Sequence, residues 1–197
     1  VDANSHSALV IVDIQNDFCP GGSLAVKEGD RVVPLVNELQ KQFALVVATK
    51  DWHPPGHSSF ASLWPPHCVQ GTAGAEFVAE LDTSRFARVF LKGTDIEIDS
   101  YSGFFDNEHR RATGLGDYLK ERGVMDVFIA GLATDYCVKY TALDAVMLGF
   151  NTTVIVDACR GVEVQAGDTT RAIEEMAAAG VHITESRGLL DAQASDG

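Results

Sequence analysis

Basic residues are scarce in this chain of 197: 15 Lys and Arg stand against 28 Asp and Glu, a formal net charge of -13. That deficit opposes binding to phosphate backbones and anionic surfaces, so neither nucleic acid nor membrane is an expected partner. No apolar run approaches the roughly 18 residues of a membrane span. Residues 1–7 have neither the basic stretch nor the apolar core of a secretory signal, and a cytoplasmic protein is the expectation. No C-x-x-C pair occurs. The four cysteines, Cys19, Cys68, Cys137 and Cys159, are spread too widely for a disulfide framework or a structural zinc site, and reduced thiols are expected. No G-x-G-x-x-G follows the first apolar run, which leads into Asp13-Ile14-Gln15 and so speaks against a dinucleotide-binding module. Internal repeats and low-complexity tracts are also missing, which sets solenoids and long linkers aside. A single domain over residues 1–197, with a large loop at about residues 50–87, is the expectation.

What the chain does have is an alternation of strand and helix. Ala8-Leu9-Val10-Ile11-Val12 is a continuous, mostly β-branched run, as a strand covered on both faces requires. A helix is expected over residues 30–42, capped by Asp30 with Pro34 early enough to be tolerated, and a second strand over 44–49. Residues 50–87 hold four of the six prolines, three of the six histidines and both tryptophans, with a periodic segment only at 75–81; so long a loop is usually functional. Strands follow at 88–91, 127–130, 152–156 and 181–184. Helices are expected from Thr113 to Gly123, from Cys137 to Leu148, and from Asp168 to about Gly180. Six buried strands alternating with amphipathic helices predict a three-layer α/β/α fold with a parallel sheet. Ligands of such a sheet bind beyond the strands' C-terminal ends.

That rule brings three polar groups to one rim, because Asp13, Lys92 and Cys137 each fall at or just after the C-terminal end of a different strand. Alone, Asp13 reads as a turn residue, Lys92 as a solvated charge and Cys137 as a packing residue. Together they make an acid/base-assisted nucleophile: the carboxylate takes the thiol proton, and the lysine favours both ionised forms. Cys137 opens a helix after Gly131-Leu132-Ala133-Thr134, where free N–H groups and the macrodipole favour a thiolate. The same N–H groups are suited to hold an oxyanion.

A second constellation lies in the loop. In an extended Asp51-Trp52-His53, residues two apart face the same way, so Asp51 and His53 can share one cation, with His67 returned as third ligand by proline turns. Mixed carboxylate and imidazole ligation suits Zn, Mn or Fe(II). His57 is either a fourth ligand or a neighbour that only packs; Cys68 directly follows His67 and is expected to point away. His109 and His182 lie outside the loop and read as surface residues. A thiolate, a metal and the aromatics Phe18, Trp52, Trp64, Tyr101 and Tyr136 together imply a small planar substrate with a carbonyl, and an amide fits.

The segments Val12-Asp13-Ile14-Gln15-Asn16-Asp17-Phe18, Lys50-Asp51-Trp52-His53-Pro54, Trp64-Pro65-Pro66-His67-Cys68, Lys92-Gly93-Thr94-Asp95, Tyr101-Ser102-Gly103-Phe104 and Gly131-Leu132-Ala133-Thr134-Asp135-Tyr136-Cys137-Val138 resemble, in order, those of the nicotinamidase branch of the isochorismatase-like cysteine hydrolases. The resemblance implies hydrolysis of nicotinamide to nicotinate and ammonia within pyridine nucleotide salvage, with pyrazinamide as a surrogate substrate. It implies Asp13, Lys92 and Cys137 as triad, and Asp51, His53 and His67 as ligands of one divalent ion, Zn first with Fe or Mn as alternatives. It places the oxyanion on the N–H groups of Ala133 and Cys137, after a non-proline cis bond between Leu132 and Ala133. Phe18, Trp64, Tyr101 and Tyr136 line the implied pocket, Tyr136 at a position that varies in the family. The implied sheet order, 3-2-1-4-5-6, leaves Lys92 two strands from Asp13, a gap that only a long side chain or a leaning loop closes. Monomer and homo-oligomer both stay open, a dimer being the expected oligomer.

Overall fold

The computed structural model of the chain describes residues 3–61 and 63–191. Six strands form one sheet: β1 (Ser7–Val12), β2 (Leu45–Asp51), β3 (Phe86–Lys92), β4 (Asp126–Leu132), β5 (Asn151–Arg160) and β6 (His182–Thr184). Their order is β3-β2-β1-β4-β5-β6 and every pairing is parallel. The β-branched runs are explained by burial on both faces. Leu9 and Ile11 of β1 pack with Phe128 and Ala130 of β4 toward α1 (Val33–Leu39), through Val33, Val36 and Leu39. Ala8, Val10 and Val12 pack with Val127 and Ile129 on the opposite side. There the covering helices are α2 (Leu115–Glu121), α3 (Lys139–Met147) and α4 (Asp168–Ala178), through Leu119, Ala142, Ala145 and Met176. A short α5 (Arg187–Asp191) returns Leu189 to the first side. The expected three layers and strand order are present.

Several local expectations are corrected. The segment expected as one helix over 30–42 is a 3-10 turn at Gly29–Val32, then α1, then a second 3-10 turn at Gln40–Gln42. Asp30 does not cap it; Glu28, at φ 57°, begins the turn without a side-chain cap, and Pro34 sits in the first turn of α1 where its missing N–H costs nothing. The periodic stretch at 75–81 is no helix. Its backbone straps the β1 exit, with Gln15 and Phe77 forming an antiparallel bridge and Val78 N–H donating to the Ile14 carbonyl at 3.2 Å. Thr113 lies one residue before the N-cap of α2, which is Gly114 in a left-handed conformation; the Thr113 hydroxyl still accepts Leu115 N–H at 3.2 Å. Asp168 falls inside α4, and the Glu163 carboxylate takes the N–H groups of Gly167 and Thr169 instead, at 2.9 and 2.7 Å. None of the described helices is long and apolar enough to cross a membrane.

β1 and β4 are the neighbours at which strand order reverses, so Asp13 and the 133–137 turn leave the sheet side by side.

Candidate active site

The turn after β4 is built on close backbone approach. Gly131 has φ +126°, and a Cβ there would lie 2.1 Å from the Val12 carbonyl oxygen, so only glycine fits beside β1. The Leu132-Ala133 peptide is cis, as the family resemblance implies. The Ala133 carbonyl then receives the N–H groups of Tyr136 (3.1 Å) and Val138 (3.0 Å), the latter closing a π-helical turn over Thr134–Val138 that runs on into α3. Neither the Ala133 nor the Cys137 N–H is among the donors to that carbonyl.

Lys92 closes the two-strand gap with its own length. It ends β3 in register with Asp51 at the end of β2, and crosses β2 to put Nζ 2.8 Å from Asp13 Oδ2 and 3.3 Å from Cys137 Sγ. Two strand spacings are about 9.5 Å, within the combined reach of a lysine and an aspartate. Nζ also donates to Asp51 Oδ1 at 2.5 Å and to the Ser100 carbonyl at 2.9 Å. Asp13, Asp51 and Cys137 could by spacing hold a metal, but this ammonium already sits between them. Asp13 has φ 48°, a left-handed conformation that turns its carboxylate off the strand, and Thr49 Oγ1 donates to its other oxygen at 2.6 Å.

Burial reverses one expectation. It pushes the Cys137 thiol well above its ordinary pKa; Lys92 opposes this, while the nearby Asp13 and Asp51 reinforce it. Burial thus works against the helix start and favours the thiol over the thiolate. Burial likewise raises Asp13 against the pull of Lys92. Asp51 differs, since Lys92 and His53 overcome its burial and hold its carboxyl well below the usual range. For Lys92, burial is overcome by Asp13 and Asp51, which keep its ammonium charged.

Asp51, His53 and His67 offer ligand atoms within 4.8 Å of one another, all buried. His53 Nδ1–H donates to the Gly93 carbonyl (2.9 Å) and His67 Nδ1–H to that of Pro65 (2.8 Å), so each ring presents an Nε2 lone pair. Those Nε2 atoms lie 3.4 and 3.6 Å from Asp51 Oδ2, close to the separation of about 3–3.5 Å between ligands that sit about 2.1 Å from one ion. His53 Nε2 is buried without a hydrogen-bond partner among the described residues. The donor set thus fits a divalent cation such as zinc. Asp51 comes from the end of β2 and not from the loop; His67 is returned by a short ladder, His53 N–H to the Cys68 carbonyl (3.0 Å) and Gln70 N–H to the His53 carbonyl (2.9 Å). Gly93 allows His53 its place: a Cβ on Gly93 would lie 2.4 Å from the ring.

His57 falls outside this trio. Its Nδ1 pairs with Ser59 Oγ at 2.8 Å, and with His53 and Asp99 it forms a separate grouping. Cys68 points away, as expected, and is buried in the core under α1. Trp52 also faces away, under Lys50, because strand alternation sends it opposite to Asp51 and His53.

A narrow cavity of about 30 Å³ opens over Cys137 and Ala133, lined further by Phe18, Trp64, Tyr101 and Tyr136 and by Asp51 and His67. The aromatics brace one another: Trp64 Nε1 donates to the Tyr101 hydroxyl at 3.1 Å, and the Tyr136 ring meets the edges of Trp64 and Tyr101 at 5.0 and 5.4 Å. Sequence reasoning missed Asp99, Leu24 and Val162 in this lining. It also missed Gln15, whose amide grips Asp51 at both backbone groups, N–H and carbonyl, each at 2.8 Å. The one sequence signal for Gln15 is its spacing, two residues beyond Asp13.

The family described as Isochorismatase domain matches residues 7–187. The chain is 46% identical over 195 residues to a nicotinamidase of Escherichia coli (strain K12), an alignment covering 88% of this chain and 92% of the relative. Among solved structures it is similar to an L. infantum protein in complex with nicotinate, at 39% identity and a TM-score of 0.91 over 96% of this chain and 98% of the other. A pyrazinamidase of Pyrococcus horikoshii in complex with zinc is similar at 44% identity and a TM-score of 0.82, over 91% and 99%.

Proposed function

The chain belongs to the isochorismatase-domain family, and from that membership we propose that it hydrolyses nicotinamide to nicotinate and ammonia, with pyrazinamide as a surrogate, through a Cys137 thioester. The observation that carries this reading is the sulfur of Cys137 beside Asp13 and Lys92 at the floor of an aromatic cavity that Asp51 and His67 also line.

The planar amide lies between Trp64, Tyr101, Tyr136 and Phe18, its carbonyl carbon over Cys137. Asp13 takes the thiol proton as the sulfur adds, and the oxyanion rests on the N–H groups of Ala133 and Cys137. Asp13 then gives the proton to the departing nitrogen, so ammonia leaves and an acyl-cysteine remains. Water attacks that thioester with Asp13 as base, releasing the acid and restoring the thiol. Lys92 keeps its charge throughout, balancing Asp13 as it alternates between acid and carboxylate. Asp51, His53 and His67 hold the divalent ion, zinc first with iron or manganese as alternatives, and when bound it supplies Lewis acidity toward a heteroaromatic nitrogen or water. The whole chain acts as one domain, and four free cysteines suit a reducing compartment such as the cytoplasm.

The test is ammonia release from nicotinamide by the purified protein, with and without chelator. Release that chelator suppresses and zinc restores is expected. A zinc-loaded protein that leaves nicotinamide intact but cleaves a ureido substrate would move the chain to another amidase of the family.

A further inference from the structure

Residues 99–107 serve the site twice: the Ser100 carbonyl accepts Lys92 Nζ, and Tyr101 forms a cavity wall. The segment is braced within itself, Tyr101 N–H to Asn107 Oδ1 at 2.9 Å and Ser100 Oγ to the Phe105 carbonyl at 2.8 Å. Neither bond relates it to the nucleophile. Besides the contacts at Lys92 and Tyr136, that relation runs through α3, whose first residue follows Cys137 by two positions along continuous helical backbone. From one flank of α3, Thr141 Oγ1 accepts Gly103 N–H at 2.9 Å, Asp144 Oδ1 meets His109 Nε2 at 3.4 Å, and the Tyr140 ring stacks on Tyr101 at 5.3 Å. Thr141 is fully buried and Asp144 nearly so. Gly103 is also tightly enclosed: a Cβ there would lie 2.9 Å from Cγ2 of Thr49, the residue that donates to Asp13, and 3.5 Å from Cγ2 of Thr141.

We propose that Thr141, with Asp144 as second anchor, is a positioning residue: through Gly103 and His109 it clamps the segment from residue 99 to 109 to the helix that follows Cys137, and so fixes Tyr101 and the Ser100 carbonyl at working distance from the sulfur. Neither side chain touches the cavity. Their effect passes through Tyr101 and Ser100, which separates a clamp from general core packing.

Thr141→Val keeps the shape and leaves a buried Gly103 N–H without its acceptor; Thr141→Ser restores the hydroxyl. KM for nicotinamide should rise about tenfold in Thr141→Val, with kcat changed less, and return in Thr141→Ser. In a Tyr101→Ala background the same Thr141→Val change should move KM less than about twofold, because the wall it positions is gone. Full additivity of the two substitutions would overturn the proposal. The kinetic arm rests on the amidase reading, which wild-type turnover in the same assay reports separately. A second arm needs no turnover: in a Trp52→Phe background, Trp64 emission reports the Tyr101 hydroxyl that its indole N–H meets. Thr141→Val should shift that emission to the red and Thr141→Ser should reverse the shift; unchanged emission overturns the clamp. Should Thr141→Val fail to fold, Asp144→Asn carries the same cycle and the same emission measurement.

Discussion

Replacing Lys92 by Met removes one charge from a place where three groups depend on it. The lysine is 1% exposed, Asp13 0% and Asp51 4%, so Lys92→Met fills much the same volume yet strands two carboxylates away from water. Breaking a buried ion pair from one side costs about 3–5 kcal/mol, against a total stability of about 5–15 kcal/mol for a domain, so the variant should fold with a large deficit. The deficit has a pH signature. Asp13 already has a pKa above its unfolded value, so the folded state holds its proton more tightly, and stability falls as pH rises through the folded pKa. Lys92 opposes that loss, and without it the loss deepens. Asp51 is depressed in the native protein, a contribution present above the ordinary carboxylate pKa and lost as pH falls through the folded one; without Lys92 much of it disappears. Both effects make the native protein's advantage grow with pH. Urea unfolding of chelator-treated native protein and Lys92→Met at about pH 5 and about pH 7.5 should show a deficit clearly larger at the higher pH. Activity should fall about 10²–10⁴-fold, since the proton relay loses its counter-charge. Equal stability at the higher pH, or a deficit that stays constant, would refute the charge assignment.

Cys137→Ala should abolish ammonia release while leaving the unfolding free energy from urea titration within about 1 kcal/mol of native, because one sulfur is all that the core loses. In the native enzyme, hydroxylamine added during turnover should divert product to the hydroxamate; continued hydrolysis with no hydroxamate and no acyl adduct on the Cys137 peptide would remove the thioester. His53→Ala should lose bound metal and most turnover but keep native circular dichroism, since the ring holds no strand in place; retained metal would mean the ligand set is misassigned. Gly93→Ala combines a left-handed residue at φ +63° with a Cβ 2.4 Å from the His53 ring, and metal affinity by competition with a chelator should weaken about 10–100-fold.

The sheet could be read from the chain because its central strands, such as 8–12 and 127–130, are apolar on both faces, a pattern that survives any detail of packing. Strand order came from the family resemblance, not from periodicity. The helix around Pro34 was legible in extent but not in form, since its ends tighten to 3-10 turns under tertiary contacts that composition does not encode. Asp13, Lys92, Cys137, Asp51, His53 and His67 all reach the predicted cluster, because strand ends and the alternation of an extended chain fix directions well. Solvation was the part that escaped. A cysteine at a helix start suggests a thiolate only while water is near, and Cys137 is 6% exposed between two carboxylates. Gln15 and Asp99 escaped for another reason: each acts across more than 30 residues, and a polar side chain in a short motif carries no mark of its distant partner.

The π turn over Thr134–Val138 carries a lesson for anyone altering this protein. An i→i+5 turn holds one residue more than the α-helix that follows it, so the stretch is equivalent to a one-residue insertion accommodated within a helix. Point changes there leave the frame intact. Deleting a single residue would let the turn relax into ordinary α geometry and rotate everything before it by about 100° about the axis of α3, carrying the sulfur out of the cavity and away from Lys92. Length matters here alongside residue identity, and a sequence design that places a one-residue gap in this stretch would keep Cys137 while losing its aim.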